Sequence, residues 1–156
     1  MNNSLSAIYE KIYGCPFSYD SFEDRKKLQK AIYLLENMGV NVGDYSFSWD
    51  SYGPYSLGLD CEASQLDGIV SIAHTRTFSR FAEDSFKRLK EIAETESGYD
   101  TSYWMECIAS LHYLRNVFRV DEDSAIAELV RRKPYLSDNK ANERALQIAS
   151  AIKVGI

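Results

Sequence analysis

The sequence predicts a mainly helical fold (mainly α, α+β) with one small two-stranded antiparallel β element. Apolar residues recur at helical spacing through most of the chain, and only "DYSFSWDS" alternates with a period of two. The composition, 45% hydrophobic, 13% aromatic and 26% charged, is that of a globular chain with enough apolar surface to build a core. At 156 residues, with no repeat, low-complexity tract or Pro/Ser-rich linker, the expected organisation is one domain over 1–156.

A first helical segment, about Leu5 to Tyr13, is broken by Gly14 and Pro16. From Phe22 to Met38, Leu28, Ala31, Ile32, Leu35 and Met38 form one apolar stripe, Gly39 supplies the C-terminal stop, and Arg25, Lys26, Lys27 and Lys30 fall on the remaining face, where solvation is expected. Tyr45, Phe47 and Trp49 alternate against Ser46, Ser48 and Asp50, which predicts a half-buried strand with its aromatic side to the core. Gly53 and Pro54 break it. Leu59, Ala63 and Leu66 then predict a short helix ended by Gly68, and β-branched "IVSIAH" (Ile69 to His74) predicts a second strand pairing with the first. The order helix, strand, helix, strand makes residues about 22–75 a winged-helix-like half.

The rest, about 78–154, reads as a helical half. Phe78, Phe81, Ala82, Phe86, Leu89, Ile92 and Ala93 fit a helix closed by Gly98. Asp100 or Thr101 caps the most hydrophobic helix, in which Trp104, Cys107, Ile108, Leu111, Leu114 and Phe118 face inward, and which is expected to be the central one. "VDEDSAIAELVRRKP" starts on Asp121, places acids first and Arg131, Arg132 and Lys133 last, and stops at Pro134, an order that suits the helix dipole. Ser137 or Asp138 opens a final helix with Ala141, Ala145, Ile148, Ala149 and Ile152 on one side.

The chemistry the sequence leaves out narrows the function. There is no GxSxG, HExxH, CxxC or phosphate-cradling glycine loop, so neither a catalytic site, a metal site nor a cofactor is predicted. Cys15, Cys61 and Cys107 form no metal or disulfide pattern and are expected reduced. Cys107 and His112 share a helix but lie roughly 140° apart around its axis, too divergent for a thiolate–imidazole pair, and both are expected to be structural. His74 sits at a strand end beside Arg76. Asp121 to Asp123 at a helix start fit capping better than a metal. "MNNSLSAIYEKIYG" lacks the basic and apolar regions of a secretory signal and no run of about 18 apolar residues exists, which predicts a cytoplasmic protein without a membrane partner.

Two binding readings remain. A winged-helix DNA-binding regulator would offer the helix near Leu57 to Asp67 to a groove, yet from Ser51 to Val70 there is no Lys or Arg, while Asp60, Glu62 and Asp67 are acidic. The net charge of −5 gives DNA no general attraction, so phosphate contacts would have to come from Arg25, Lys26, Lys30, Arg76 and Arg80. Protein binding fits better: "WDSYGPYSLGL" gathers Trp49, Tyr52, Tyr55 and Leu57 around a Gly-Pro corner, and aromatic rings on a rigid turn anchor interfaces at little entropic cost. Gln29 is placed to hydrogen-bond toward the strand, and the corner is expected to send Tyr52 and Tyr55 to different sides.

"KLQKAIYLLENMG", the aromatic strand, "YGPYS" and a helix ending "LDGIV", with the later "ECIASLHYLRNVF", "AIAELVRRKPYLSD" and "ANERALQIASAI", resemble the YwgA-like bacterial proteins and, more distantly, the Panacea-domain proteins that include antitoxins such as SocA. The likeness spans roughly Arg25 to Ile152. It implies a mainly helical domain with winged-helix-like elements, of unknown biochemical activity in the YwgA-like group. In the Panacea group it implies toxin neutralisation by protein contact, often linked to proteolytic delivery. Its motif residues here are Lys27, Leu28, Gln29, Lys30, Tyr52, Gly53, Pro54, Tyr55 and Ser56, none with an implied catalytic role. The expected function is thus a non-enzymatic, cytoplasmic, antitoxin-like regulatory protein whose partner, such as a toxin, docks in the groove between the Lys27 and Lys30 face and the Tyr52 to Ser56 turn. The partner-binding residues are Lys27, Lys30, Trp49, Tyr52, Tyr55 and Ser56. The alternative is the DNA-binding regulator.

Overall fold

In a computed structural model, which describes residues 4–66 and 77–153, seven helices surround one two-stranded sheet. Helix α1 (Ser4–Tyr13) is followed by α2 (Phe22–Asn37), where Ser21 accepts a hydrogen bond from Asp24 N and Gly39 takes a φ of +96° just past the last turn. That left-handed position is the one a glycine reaches without steric cost. The β-hairpin, β1 (Ser48–Asp50) and β2 (Gly53–Tyr55), leads into α3 (Leu57–Ala63), capped by Ser56. Helices α4 (Arg80–Ala93), α5 (Thr101–Asn116), α6 (Glu122–Arg132) and α7 (Asn139–Ala151) complete the chain.

Mainly helical architecture around a small antiparallel element is therefore what the residues form. Helix α5 is central, as its composition predicts: it packs on α2, α6, α7 and β2, and Trp104, Met105, Cys107, Ile108, Leu111 and Leu114 are fully buried. A helix apolar on every side belongs inside. Leu5, Ile8, Leu28, Ile32, Leu35, Leu59, Leu89, Leu129 and Ala145 join the same core cluster. Among the described residues no helix is long and apolar enough to cross a membrane.

The sheet differs from expectation. Ser48, Trp49 and Asp50 pair with Tyr55, Pro54 and Gly53, so the segment expected to break the strand is its partner. Gly53, at a φ of +96°, lets the chain reverse over Ser51 and Tyr52. Pro54 faces Trp49 in a ladder that leaves every second pair free of hydrogen bonds, where a residue without an N–H fits. Tyr45 and Phe47 are half-buried against the core outside the strand. The strand predicted at Ile69 to His74 lies outside the described residues, as do His74 and Arg76, and with them the finer winged-helix-like arrangement.

Candidate functional site

The expected solvated face of α2 is only partly solvated. Lys26 and Lys30 point inward, because α2 lies between α5 on one side and the hairpin and α3 on the other and its basic flank is covered as well. The cover is polar. Gln29 donates from Nε2 to Ser56 O and accepts from Ser56 N, both at 2.9 Å, and so holds the end of β2 against the helix. Lys30 Nζ donates to Pro54 O at 2.9 Å. These two side chains, adjacent in sequence, satisfy backbone groups that the short hairpin has no further strand to pair with.

Beneath them lies a buried ionic cluster. Lys26 Nζ meets Glu106 Oε1 at 2.5 Å and Lys133 Nζ meets Glu106 Oε2 at 3.1 Å, with side-chain exposures of 3%, 2% and 0% for Lys26, Lys133 and Glu106. Tyr135 donates its hydroxyl to the same Oε2, and Lys133 also donates to Ser51 O at 2.6 Å. Burial pushes the Lys30 ammonium down to about 7, with Lys133 and Lys26 lowering it further and Glu106 and Asp50 opposing. Burial also lowers Lys133, and raises the Tyr135 hydroxyl together with its bond to Glu106. The basic run at the C-terminal end of α6 is thus split: Arg131 and Arg132 pair with Glu128 at the surface, while Lys133 turns inside.

Above the cluster opens a cleft of about 250 Å³ between α2 and the hairpin, with Arg25, Lys26, Lys30, Asp50, Tyr52 and Tyr55 among its walls. This is the groove the sequence places between α2 and the turn. Its carboxylate Asp60 is held by Tyr19 OH at 3.2 Å and Tyr55 OH at 2.8 Å, and the Arg25 guanidinium lies 5.1 Å from the Tyr19 ring centre. Four rings stand half-exposed along the rim and the adjoining surface: Phe22, Tyr52, Tyr103 and Tyr135, each between 41% and 45%. They form a linked series. Phe22 and Tyr52 meet edge-on at 4.9 Å, Lys26 Nζ lies 5.5 Å from the Tyr52 ring and 4.4 Å from Tyr103, and Tyr103 and Tyr135 are 5.6 Å apart.

The site residues expected from sequence divide accordingly. Tyr52, Tyr55, Lys30, Lys26 and Arg25 come together, although Tyr52 and Tyr55 line one cleft rather than two sides, since only Gly53 and Pro54 separate them in the hairpin. Lys27 does not join them: its ammonium sits 4.7 Å from the Tyr13 ring and 3.9 Å from Asp24, toward α1. Trp49 packs elsewhere, against Tyr113 and Phe118 at 5.7 Å each with Arg132 over its ring. Ser56 is buried as the α3 cap, its Oγ accepting from Leu59 N, and is scaffold rather than contact surface. Arg80 is exposed at the start of α4, outside the cleft. Cys107 and His112 are structural: the thiol donates to Asn142 Oδ1 at 3.2 Å, and His112 lies between Tyr33 OH at 2.8 Å and Ile152 O at 3.1 Å.

Sequence reasoning missed Glu106, Lys133, Phe22, Tyr103 and Tyr135. A signal for the first was present in "WMECIAS", where one carboxylate interrupts the most apolar helix and therefore needs a cation drawn in from elsewhere. Among the described residues no group of three or more His, Cys, Asp or Glu side chains is placed to hold a metal ion. No protein-family model, curated protein or solved structure matches the chain.

Proposed function

We propose that this is a non-enzymatic, cytoplasmic regulatory protein, antitoxin-like in its mode of action, that binds a protein partner over the cleft between α2 and the hairpin. The observation that carries the reading is the linked series of four half-exposed rings, of which Phe22 and Tyr52 wall a preformed opening and Tyr103 and Tyr135 continue the series beside it. Single exposed rings are ordinary on a protein surface, but a contiguous aromatic group with a guanidinium beside it has the composition of an interface centre. The hairpin that carries Tyr52 is tied to α2 by Gln29 and Lys30, so the rings need little ordering when a partner arrives. The resemblance to YwgA-like and Panacea-domain proteins supports the same reading.

The DNA-binding alternative loses support. Of its five expected phosphate contacts, Lys26 and Lys30 are buried at a cleft that admits a single side chain and not a duplex backbone, and Leu57 to Leu66 carries acids and no base.

The test begins with capture from the native cell and identification of the partner, followed by calorimetry with both proteins purified. A Tyr52→Ala/Tyr103→Ala variant is expected to keep its fold by circular dichroism and to lose affinity by about 1,000-fold, since buried aromatic anchors contribute about 2 kcal/mol each or more. Unchanged affinity would place the interface elsewhere.

A further inference from the structure

We propose that the group received by the cleft is a carboxylate, carried by an acidic side chain of the protein partner with an apolar residue beside it. This rests on the reading of the cleft as the partner's docking site. Charge complementarity carries it: the buried charged side chains among the described residues are Lys26, Lys30, Lys133 and Glu106, three cations to one anion. Glu106 is taken up by Lys26, Lys133 and Tyr135. Lys30, although 1% exposed, is one of the residues that wall the cleft, and its ammonium donates to one acceptor, Pro54 O, where it has three protons to donate.

The carboxylates already present leave this incomplete. Asp60 is satisfied by the Tyr19 and Tyr55 hydroxyls, and Asp50 is a solvent-exposed residue at the mouth. Arg25 supplies a second cation at the wall, and Phe22, Tyr52 and Tyr55 offer apolar faces to a neighbouring side chain. About 250 Å³ admits a side chain and falls short of the space a drug-sized ligand occupies.

A proton-linked signature follows. The groups facing Lys30 are Glu106, Lys26, Lys133 and Asp50, with Arg25, Asp60, Tyr52 and Tyr55 around the opening. Lys30 is held near 7 by burial, so a carboxylate seated beside it favours the charged form and binding takes up a proton at neutral to mildly alkaline pH.

The test uses the whole protein and N-acetyl-Glu-Phe-amide as probe, with N-acetyl-Gln-Phe-amide, acetate and inorganic phosphate in parallel, by calorimetry in two buffers of different ionisation enthalpy. The Glu probe is expected to bind about tenfold or more tighter than the Gln probe, with proton uptake, and to lose that margin in Lys30→Met. Equal affinity of the two probes, or an undiminished margin in Lys30→Met, overturns the inference, as does phosphate binding more tightly than the Glu probe. The two readings fail separately. Loss of the purified partner in Tyr52→Ala/Tyr103→Ala with no effect of Lys30→Met keeps the docking site and removes the carboxylate. Retention of the partner in both variants removes the docking site.

Discussion

Replacing Lys30 by Met should make the free protein more stable, and the gain should depend on pH. The Lys30 ammonium falls from 10.5 to about 7 on burial. At about 1.4 kcal/mol per tenfold change in proton affinity, holding this group charged in the fold costs about 5 kcal/mol. Its folded value lies below its unfolded one, so the unfolded chain binds the additional proton between them. The cost is fully present below pH 7, shrinks as pH rises through the interval from about 7 to 10.5, and is gone above it. Methionine removes the charge and keeps much of the volume, but leaves Pro54 O without its donor, which offsets about 1–3 kcal/mol. The variant should then be more stable by about 2–4 kcal/mol near pH 6, and this advantage should fall by about 3 kcal/mol near pH 9.5. Urea unfolding of both proteins at the two pH values, followed by tryptophan fluorescence, measures it. A stability difference that is the same at both pH values would refute the reasoning, and so would a variant less stable than the wild type near pH 6.

Glu106→Gln removes the buried anion opposite Lys26 and Lys133, the only one among the described residues, and should destabilise by about 3–5 kcal/mol in urea unfolding, because ammonium groups in a dry interior lose their counter-charge. Gly53→Ala should cost about 1–3 kcal/mol by the same measurement, since the residue has a φ of +96° and its Cβ would approach Ser110 Oγ to 2.5 Å. His112 accepts from Tyr33 OH and donates to Ile152 O, the arrangement of a neutral ring, and burial lowers its proton affinity. Stability should therefore fall as pH drops below the unfolded value of 6.5, until the folded value is passed, and His112→Gln should flatten that part of the pH profile.

Helical spacing and caps located the helices well. Asp100 and Asp138, both expected as caps, accept from backbone amides at helix starts, and Pro134 follows the end of α6, whereas Asp121 stands at the N-cap of α6 without a side-chain hydrogen bond and the cap Ser21 was not foreseen. The hairpin was harder to read, because the period-two pattern of Tyr45 to Trp49 reports burial on one side rather than hydrogen bonding, and only Ser48–Asp50 finds a partner. That partner hides in "GPY", whose glycine and proline suggest an interruption until the turn geometry shows one at left-handed φ and the other opposite Trp49. The cleft was legible as a place, through Lys30, Tyr52 and Tyr55. Its floor was not, since Glu106 and Lys133 are 27 residues apart in sequence and meet only when α5 and α6 pack. Lysine patterning also misled: four basic residues along one helix flank look solvated, whereas a buried glutamate on the neighbouring helix draws one of them in, and a buried hairpin carbonyl draws in another.

The central claim is that the partner docks where the buried lysines underlie the cleft. Lysine ε-carbon NMR across pH, recorded on the free protein and on its complex with the purified partner, reads this directly. One resonance, assigned through Lys30→Met, should titrate near 7 in the free protein and move upward in the complex as a carboxylate settles beside it. A Lys30 signal that titrates at the same pH in both states would contradict the account.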